Sequence, residues 1–300
     1  MEFSEREKMQ KKVLIFTFLI IGLLGCKGKE AELIIEEDIT ELTNSEEIQQ
    51  PAKSGVNKPI LSVSPSDIVQ IFVREDGAPG MYVGEDGEVQ GFYVDLEKEV
   101  MKEMHQSFRF VTYNDAGPVI LGLKSGTHHF ALAAPDIPDF RASFNLSIPY
   151  EILHFVTFVQ NSNTTITGTT REEIIQSLHG KRVGVQTQGH IYQILRAIKE
   201  IELIEYPTTT KAMEDLNNGL LDAVPDVKRI GIYYATLYNW DIKPIGEPII
   251  SHKITTAMSQ MFEPELLDRY NKALQTIIDD GRRDEIYESY FGPMEEEDKP

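Results

Sequence analysis

The sequence predicts an α/β protein made of two successive groups of strands and helices, and three observations carry that prediction. Short apolar runs of strand length alternate with segments whose apolar residues recur every three or four positions. That alternation stops near residue 160 and then restarts. Near Asp67 the composition changes from acidic and Pro/Ser-rich to globular, leaving about 225 residues for one large domain or two small ones.

In chain order, Asp67–Arg74 is apolar on both faces, as a buried strand should be. Tyr82-Val83 and Val89–Phe92 flank an Asp86-Gly87 turn and read as a hairpin. Leu96, Val100 and Met104 give Asp95–His105 helical spacing. Phe108–Tyr113 is expected as a strand, Val119–Lys124 as a helix and Phe130–Ala134 as a buried strand. Leu153–Val159 is a long strand that closes the first group.

The second group reads helix Arg171–Leu178, strand Arg182–Gln186, helix Gly189–Lys199 and strand Ile201–Tyr206. Helix Lys211–Asn218 ends at Gly219, strand Leu221–Val224 follows, and then helix Val227–Tyr238 and strand Lys253–Met258. A long helix, Glu263–Asp280, is stopped by Gly281, and a short one spans Arg283–Phe291. Ligands of open α/β sheets bind beyond the carboxyl ends of strands. The loops to inspect are therefore 75–82, 113–118, 135–141, 186–190 and 225–227.

Ahead of this region, Val13–Leu24 is apolar but, at twelve residues, shorter than the roughly 20 that span a bilayer. Lys8, Lys11 and Lys12 precede it, and Gly25 stands before Cys26, the order of a secretory signal peptide. Leu23-Leu24-Gly25-Cys26 resembles the lipobox of bacterial lipoproteins. The resemblance implies cleavage after residue 25, fatty acylation of Cys26 (palmitate included) and a membrane tether. Cys26 is the chain's only cysteine, so it cannot form an internal disulfide. Residues 26–66 are expected to form a flexible linker, because 27–50 carry eight acids against two lysines and 51–66 are rich in Pro and Ser.

The net charge is −19, and −20 without residues 1–25. Phosphate backbones would repel such a surface, which excludes nucleic-acid binding. The seven histidines lack metal-ligand spacing and there is no second cysteine, so neither a metal nor a cofactor is expected. His128 and His129, as neighbours on a strand, would face opposite ways.

The stretches 91–104 (GFYVDLEKEVMKEM), 141–150 (RASFNLSIPY), 180–189 (GKRVGVQTQG), 217–224 (NNGLLDAV) and 274–292, in this order, resemble the extracellular solute-binding proteins of family 3. These are the amino-acid-binding receptors of bacterial uptake systems. The resemblance runs from about Val69 to Pro293. It implies a two-lobed periplasmic-binding-protein fold (type II), each lobe a mixed sheet flanked by helices, joined by two strands crossing near 157–160 and 251–255. Lobe 1 would comprise 67–157 plus 256–293, lobe 2 would comprise 158–255, and 294–300 would form an acidic tail.

By the same resemblance, Arg141 grips a ligand α-carboxylate, a task its planar fork suits. Read alone, it is a surface arginine. Gln186, Gly189 and His190 open a helix from lobe 2 and would meet that carboxylate, although an ordinary strand-to-helix turn reads the same way. Asp226 stands near the family's partner for the ligand ammonium, yet one residue short, and a helix N-cap remains an equal reading. Asp76 and Tyr82 in the first loop, with Ala134 and Asp136 ahead of Arg141, complete the expected ligand contacts.

Several of these positions depart from the family. Gly80 stands where an aromatic usually stacks on the ligand, and Ala134-Pro135-Asp136 replaces small hydroxyl or glycine residues. Asp136 could pair with Arg141, or receive a cationic ligand group. The expected function is a monomeric, non-enzymatic receptor, lipid-anchored outside the cytoplasm, that hands a small amino-acid-like solute to an ABC permease. The alternatives are a sensor or adhesin lipoprotein with a degenerate site, and a dehydratase-like enzyme on the same fold.

Overall fold

The computed structural model describes residues 60–114, 116–187 and 190–300. The signal segment, Cys26 and most of the expected linker lie outside the described residues, as does Gly189. Strand β1 (Val69–Arg74) is almost wholly buried. A small antiparallel sheet follows: β2 (Asp76–Gly77), β3 (Met81–Val83) and β4 (Val89–Gln90).

Helix α1 (Phe92–Glu103) begins three residues earlier than its periodicity suggests. Gly91 turns the chain at φ 120°, where a Cβ would come 2.5 Å from the Gly80 carbonyl oxygen. The Phe92 and Tyr93 N–H groups then donate back to Pro79 and Gly80. So the hairpin strand ends at Gln90; of its last two expected residues, Gly91 becomes the helix N-cap and Phe92 the first helical residue.

Next come β5 (Phe108–Tyr113), α2 (Ala116–Ser125), β6 (Phe130–Pro135), the short α3 (Pro138–Ser143) and β7 (Asn145–Leu146). His128 and His129 precede β6 and reach different rings, His128 packing on Phe72 and His129 stacking on Phe262. Strand β8 (Glu151–Gln160) leads to α4 (Arg171–Ser177), whose Thr170 and Glu173 form a reciprocal capping box. The second group continues with β9 (Arg182–Gln186), α5 (His190–Leu195), β10 (Glu202–Tyr206) and α6 (Thr209–Asn217). It ends with β11 (Val224–Val227), α7 (Lys228–Leu237) and β12 (Ile242–Met258). Helices α8 (Pro264–Asp279) and α9 (Arg282–Phe291) close the order, with Gly281 in the left-handed region between them.

One sheet runs β11-β8-β12-β6-β1-β5, with β7 added beside β12. Strand β1 is parallel to β5 and β6, while β12 is antiparallel to β6 and β8. The two long strands β8 and β12 pair from Glu151–Ile254 to Gln160–Ile242 and so run through both lobes. One core gathers Ile71, Val100, Phe130, Tyr270 and Leu274 around β1, β6, α1 and α8. The second lobe has two clusters, one around Val159, Val185 and Leu195. The other surrounds Phe158, Met213 and Leu216, with Trp240 packed against it. Gly231 lets α7 lie on β8, since a Cβ there would meet the Phe158 ring at 2.2 Å.

Two strands differ from the sequence reading. Strand β11 lies three residues later than expected and includes Pro225, which an end strand tolerates because no ladder bond is lost there. Strand β12 begins eleven residues before Lys253, and its first part contains Pro244, Gly246 and Pro248, which break the apolar strand pattern. They coincide with the register shift between Ile245 and Ile250. Among the described residues, no helix is long and apolar enough to cross a membrane.

Candidate functional site

A cavity of about 500 Å³ opens at the carboxyl ends of β1, β5, β6 and β9. Phe72, Tyr113 and Leu123 form part of its floor, Ala133 and Ala134 one wall, and Gln186 and Thr187 the approach from the second lobe. Its volume lies within the roughly 300–1,000 Å³ of small-molecule sites. The position follows from topology, because the parallel strands β5, β1 and β6 end together there.

Strand β6 carries a bulge at the wall. Ala134 pairs with Thr255 and Ala131 with Ala257, so Leu132 and Ala133 together face Thr256. Ala133 takes φ 56°, a left-handed conformation that a non-glycine residue adopts at a cost. Its N–H donates to the Tyr150 hydroxyl (3.1 Å), which itself donates to the Thr255 carbonyl (3.1 Å). The Thr255 hydroxyl donates to the Ala134 carbonyl at 3.0 Å. The strained turn is thereby held from behind by side chains of two other strands' segments.

Of the expected site residues, Ala134 and Gln186 stand on the cavity wall. The Gln186 amide also reaches the Pro207 carbonyl at 3.4 Å. Arg141 lies in the last turn of α3 with its side chain 67% exposed, and its fork closes on Asp136, which is 13% exposed. The Arg141 Nε donates to one Asp136 oxygen and its Nη2 to the other at 2.6 Å. That pairing holds the Asp136 carboxyl below its usual range. Neither residue lines the cavity, although Pro135 and Phe140 beside them do.

Asp76 meets Arg74 at 2.9 Å, and it is Arg74 that lines the cavity. Tyr82 donates its hydroxyl to Gln90 at 3.3 Å. His190 begins α5, but its side chain is outside the described residues. Asp226 is half-buried on β11 opposite Val156 and does not line the cavity. Nor does it cap α7, whose N-cap is Val227 without a side-chain bond. Burial pushes its carboxyl up to about 7, opposed by hydrogen bonding from the Val227 backbone and Thr209.

A second polar cluster escaped the sequence reading. Arg229 on α7 is 9% exposed and donates to the Tyr93 hydroxyl at 2.7 Å and to Glu151 at 3.0 Å. Its guanidinium carbon lies 4.1 Å from the Phe291 ring centroid. Burial raises the Glu151 carboxyl, while Arg229 and Tyr93 pull it back. The Tyr234 hydroxyl, also on α7, donates to the Ala78 carbonyl at 3.2 Å. A smaller cavity, about 360 Å³, lies between α7 and α9, away from the strand ends. Among the described residues no cluster of His, Cys, Asp and Glu could hold a metal ion.

The family model for bacterial extracellular solute-binding proteins, family 3, matches residues 69–293. The chain belongs to that family. ABC transporter arginine-binding protein 1 of Escherichia coli (strain K12) is 25% identical over 216 residues, covering 70% of this chain and 84% of that protein. The arginine-binding periplasmic protein of Mannheimia haemolytica is 26% identical over 236 residues, covering 74% and 91%.

Among solved structures, the arginine-, lysine-, histidine-binding protein ArtJ from Geobacillus stearothermophilus superposes with TM-score 0.62 at 23% identity, covering 77% of this chain and 97% of that one. This family 3 chain has the two-lobed type II fold of the periplasmic binding proteins, with two long strands shared between the lobes. It is an extracytoplasmic solute-binding receptor.

Proposed function

We propose that this family 3 protein captures a small amino-acid-like solute between its lobes and presents it to the membrane subunits of an ABC transporter. The observation that carries the reading is the cavity itself. It joins the ends of β1, β5 and β6 to Gln186 and Thr187 of the second lobe, in a chain whose relatives are named as amino-acid-binding proteins. A ligand touching both sides favours the closed arrangement by its differential contacts, which is what a permease would read.

In this reading lobe 1 comprises 67–157 and 256–293, and lobe 2 comprises 158–255. Ala134, Gln186, Gly189 and His190 border the ligand. Arg141 and Asp136 form a pair at the margin that can exchange one carboxylate for another. Asp76 and Tyr82 support the first loop, and Asp226 stays on β11 opposite Val156, off the cavity. Cys26 carries the lipid that tethers a monomeric receptor, and no chemical turnover is assigned to the site.

Calorimetric titration of the full chain, stripped by unfolding and refolding, tests the receptor. A ligand at a hundredfold over its dissociation constant should add about 2.7 kcal/mol of stability. Silence across amino acids, their oxo-acids, polyamines and small peptides would refute it. Incorporation of radioactive palmitate, lost in Cys26→Ser, tests the anchor separately.

A further inference from the structure

The lining of the cavity is unevenly charged. Phe72, Leu123, Ala131 and Phe144 are buried in one apolar cluster, with Tyr113 and Phe140 packed against it. Phe72 and Tyr113 sit ring to ring, centroids 4.4 Å apart. Among the described lining residues the only charged side chain is Arg74, at the carboxyl end of β1. Asp76 takes two of its five N–H donors through one oxygen, at 3.2 and 2.9 Å, and both side chains are half exposed. Asp136, next to the lining Pro135, is already held by Arg141 through Nε and Nη2.

We infer that the cavity takes a carboxylic acid with an uncharged apolar or aromatic body, its carboxylate at Arg74 and its body on the Phe72–Tyr113–Phe144 floor, and that it rejects cationic amino acids. This rests on the receptor reading above and narrows it. A guanidinium or ammonium pushed onto that floor would lose water and meet no carboxylate among the described lining residues, a penalty of the kind that strongly opposes binding. An apolar body, by contrast, gains from every part of the floor that it covers. A free carboxylate can join Asp76 at a planar fork that still has donors to offer.

Titration of the refolded full chain with phenylalanine, leucine, 4-methyl-2-oxopentanoate, arginine and lysine tests this. The expected result is binding of at least one of the first three, tenfold or more tighter than arginine and lysine. Arg74→Ala should weaken that binding at least tenfold with an unchanged melting temperature. Ile120→Glu, at a half-buried lining position, should shift the preference toward arginine. Arginine or lysine binding most tightly would overturn the inference and leave the receptor reading standing. Undiminished affinity in Arg74→Ala would overturn it as well. Failure of every compound here and in the wider panel would overturn the receptor reading itself.

Discussion

Arg229 and Arg141 each meet a carboxylate, yet one pair is sealed among aromatic rings and the other stands at the rim of the cavity. Water reaches the exposed Arg141 side chain and screens the rim pair, so that pair is the weaker and more exchangeable of the two. Glu151 is buried, so losing Arg229 would strand its charge, and the pair ties α7 to α1 and β8. Similar chemistry thus makes a fastener in one place and an exposed, exchangeable contact in the other. Burial, and not residue type, decides which.

The largest effect should come from breaking the sealed pair. Arg229→Ala leaves Glu151 buried without a counter-charge and should cost about 3–5 kcal/mol in chemical denaturation. A loss below about 1 kcal/mol would mean that Glu151 simply takes up a proton.

Glu97 carries the comparison further, being a fully buried carboxyl whose Oε2 lies 2.6 Å from the Tyr270 hydroxyl and whose other oxygen has no partner. Burial raises it to about 8 from an ordinary 4.5. Folded protein therefore keeps a proton that the unfolded chain releases, and stability falls as pH rises from about 4.5 to 8. Glu97→Gln should add about 2 kcal/mol at pH 8 and almost nothing near pH 4.5. A gain independent of pH, read from denaturation curves across that range, would contradict it.

Ala133→Gly relieves the left-handed strain at the bulge but adds backbone freedom to the unfolded chain, so a net gain of only about 0.5 kcal/mol is expected. The smallest change in stability belongs to the rim. Asp136→Asn should leave the melting temperature unaltered, and a ligand whose carboxylate sits at Arg74 should bind with unchanged affinity, because neither Asp136 nor Arg141 lines the cavity. Weaker binding in that variant would show that Asp136 itself contacts the ligand.

Much of the framework was legible because apolar runs of strand length alternate with segments of helical spacing. The spans Phe108–Tyr113 and Arg182–Gln186 coincide with β5 and β9. Where the reading slipped, tertiary structure overrode a local signal. Gly91 looked like hairpin but opens a helix, and only Lys253–Met258 was legible of a 17-residue strand whose first part holds Pro244 and Gly246. At the cavity, loop positions past strand ends pointed to Gln186 and the family resemblance to Ala134, whereas Phe72 and Arg74 belong to a strand whose pattern marks burial and not exposure to a ligand. Arg229 gave no signal. Only the arrival of Phe92, Tyr93, Tyr287 and Phe291 from distant segments makes a helical arginine a buried one.

Trp240 is the chain's single tryptophan, and it packs against Tyr238 in the second lobe, off the cavity wall. Intrinsic emission excited at the indole band therefore follows the melting of that lobe and is blind to direct ligand contact. A fluorescent reporter of occupancy has to be introduced, and Thr187, exposed on the cavity's second-lobe side, is a natural place to attach the dye.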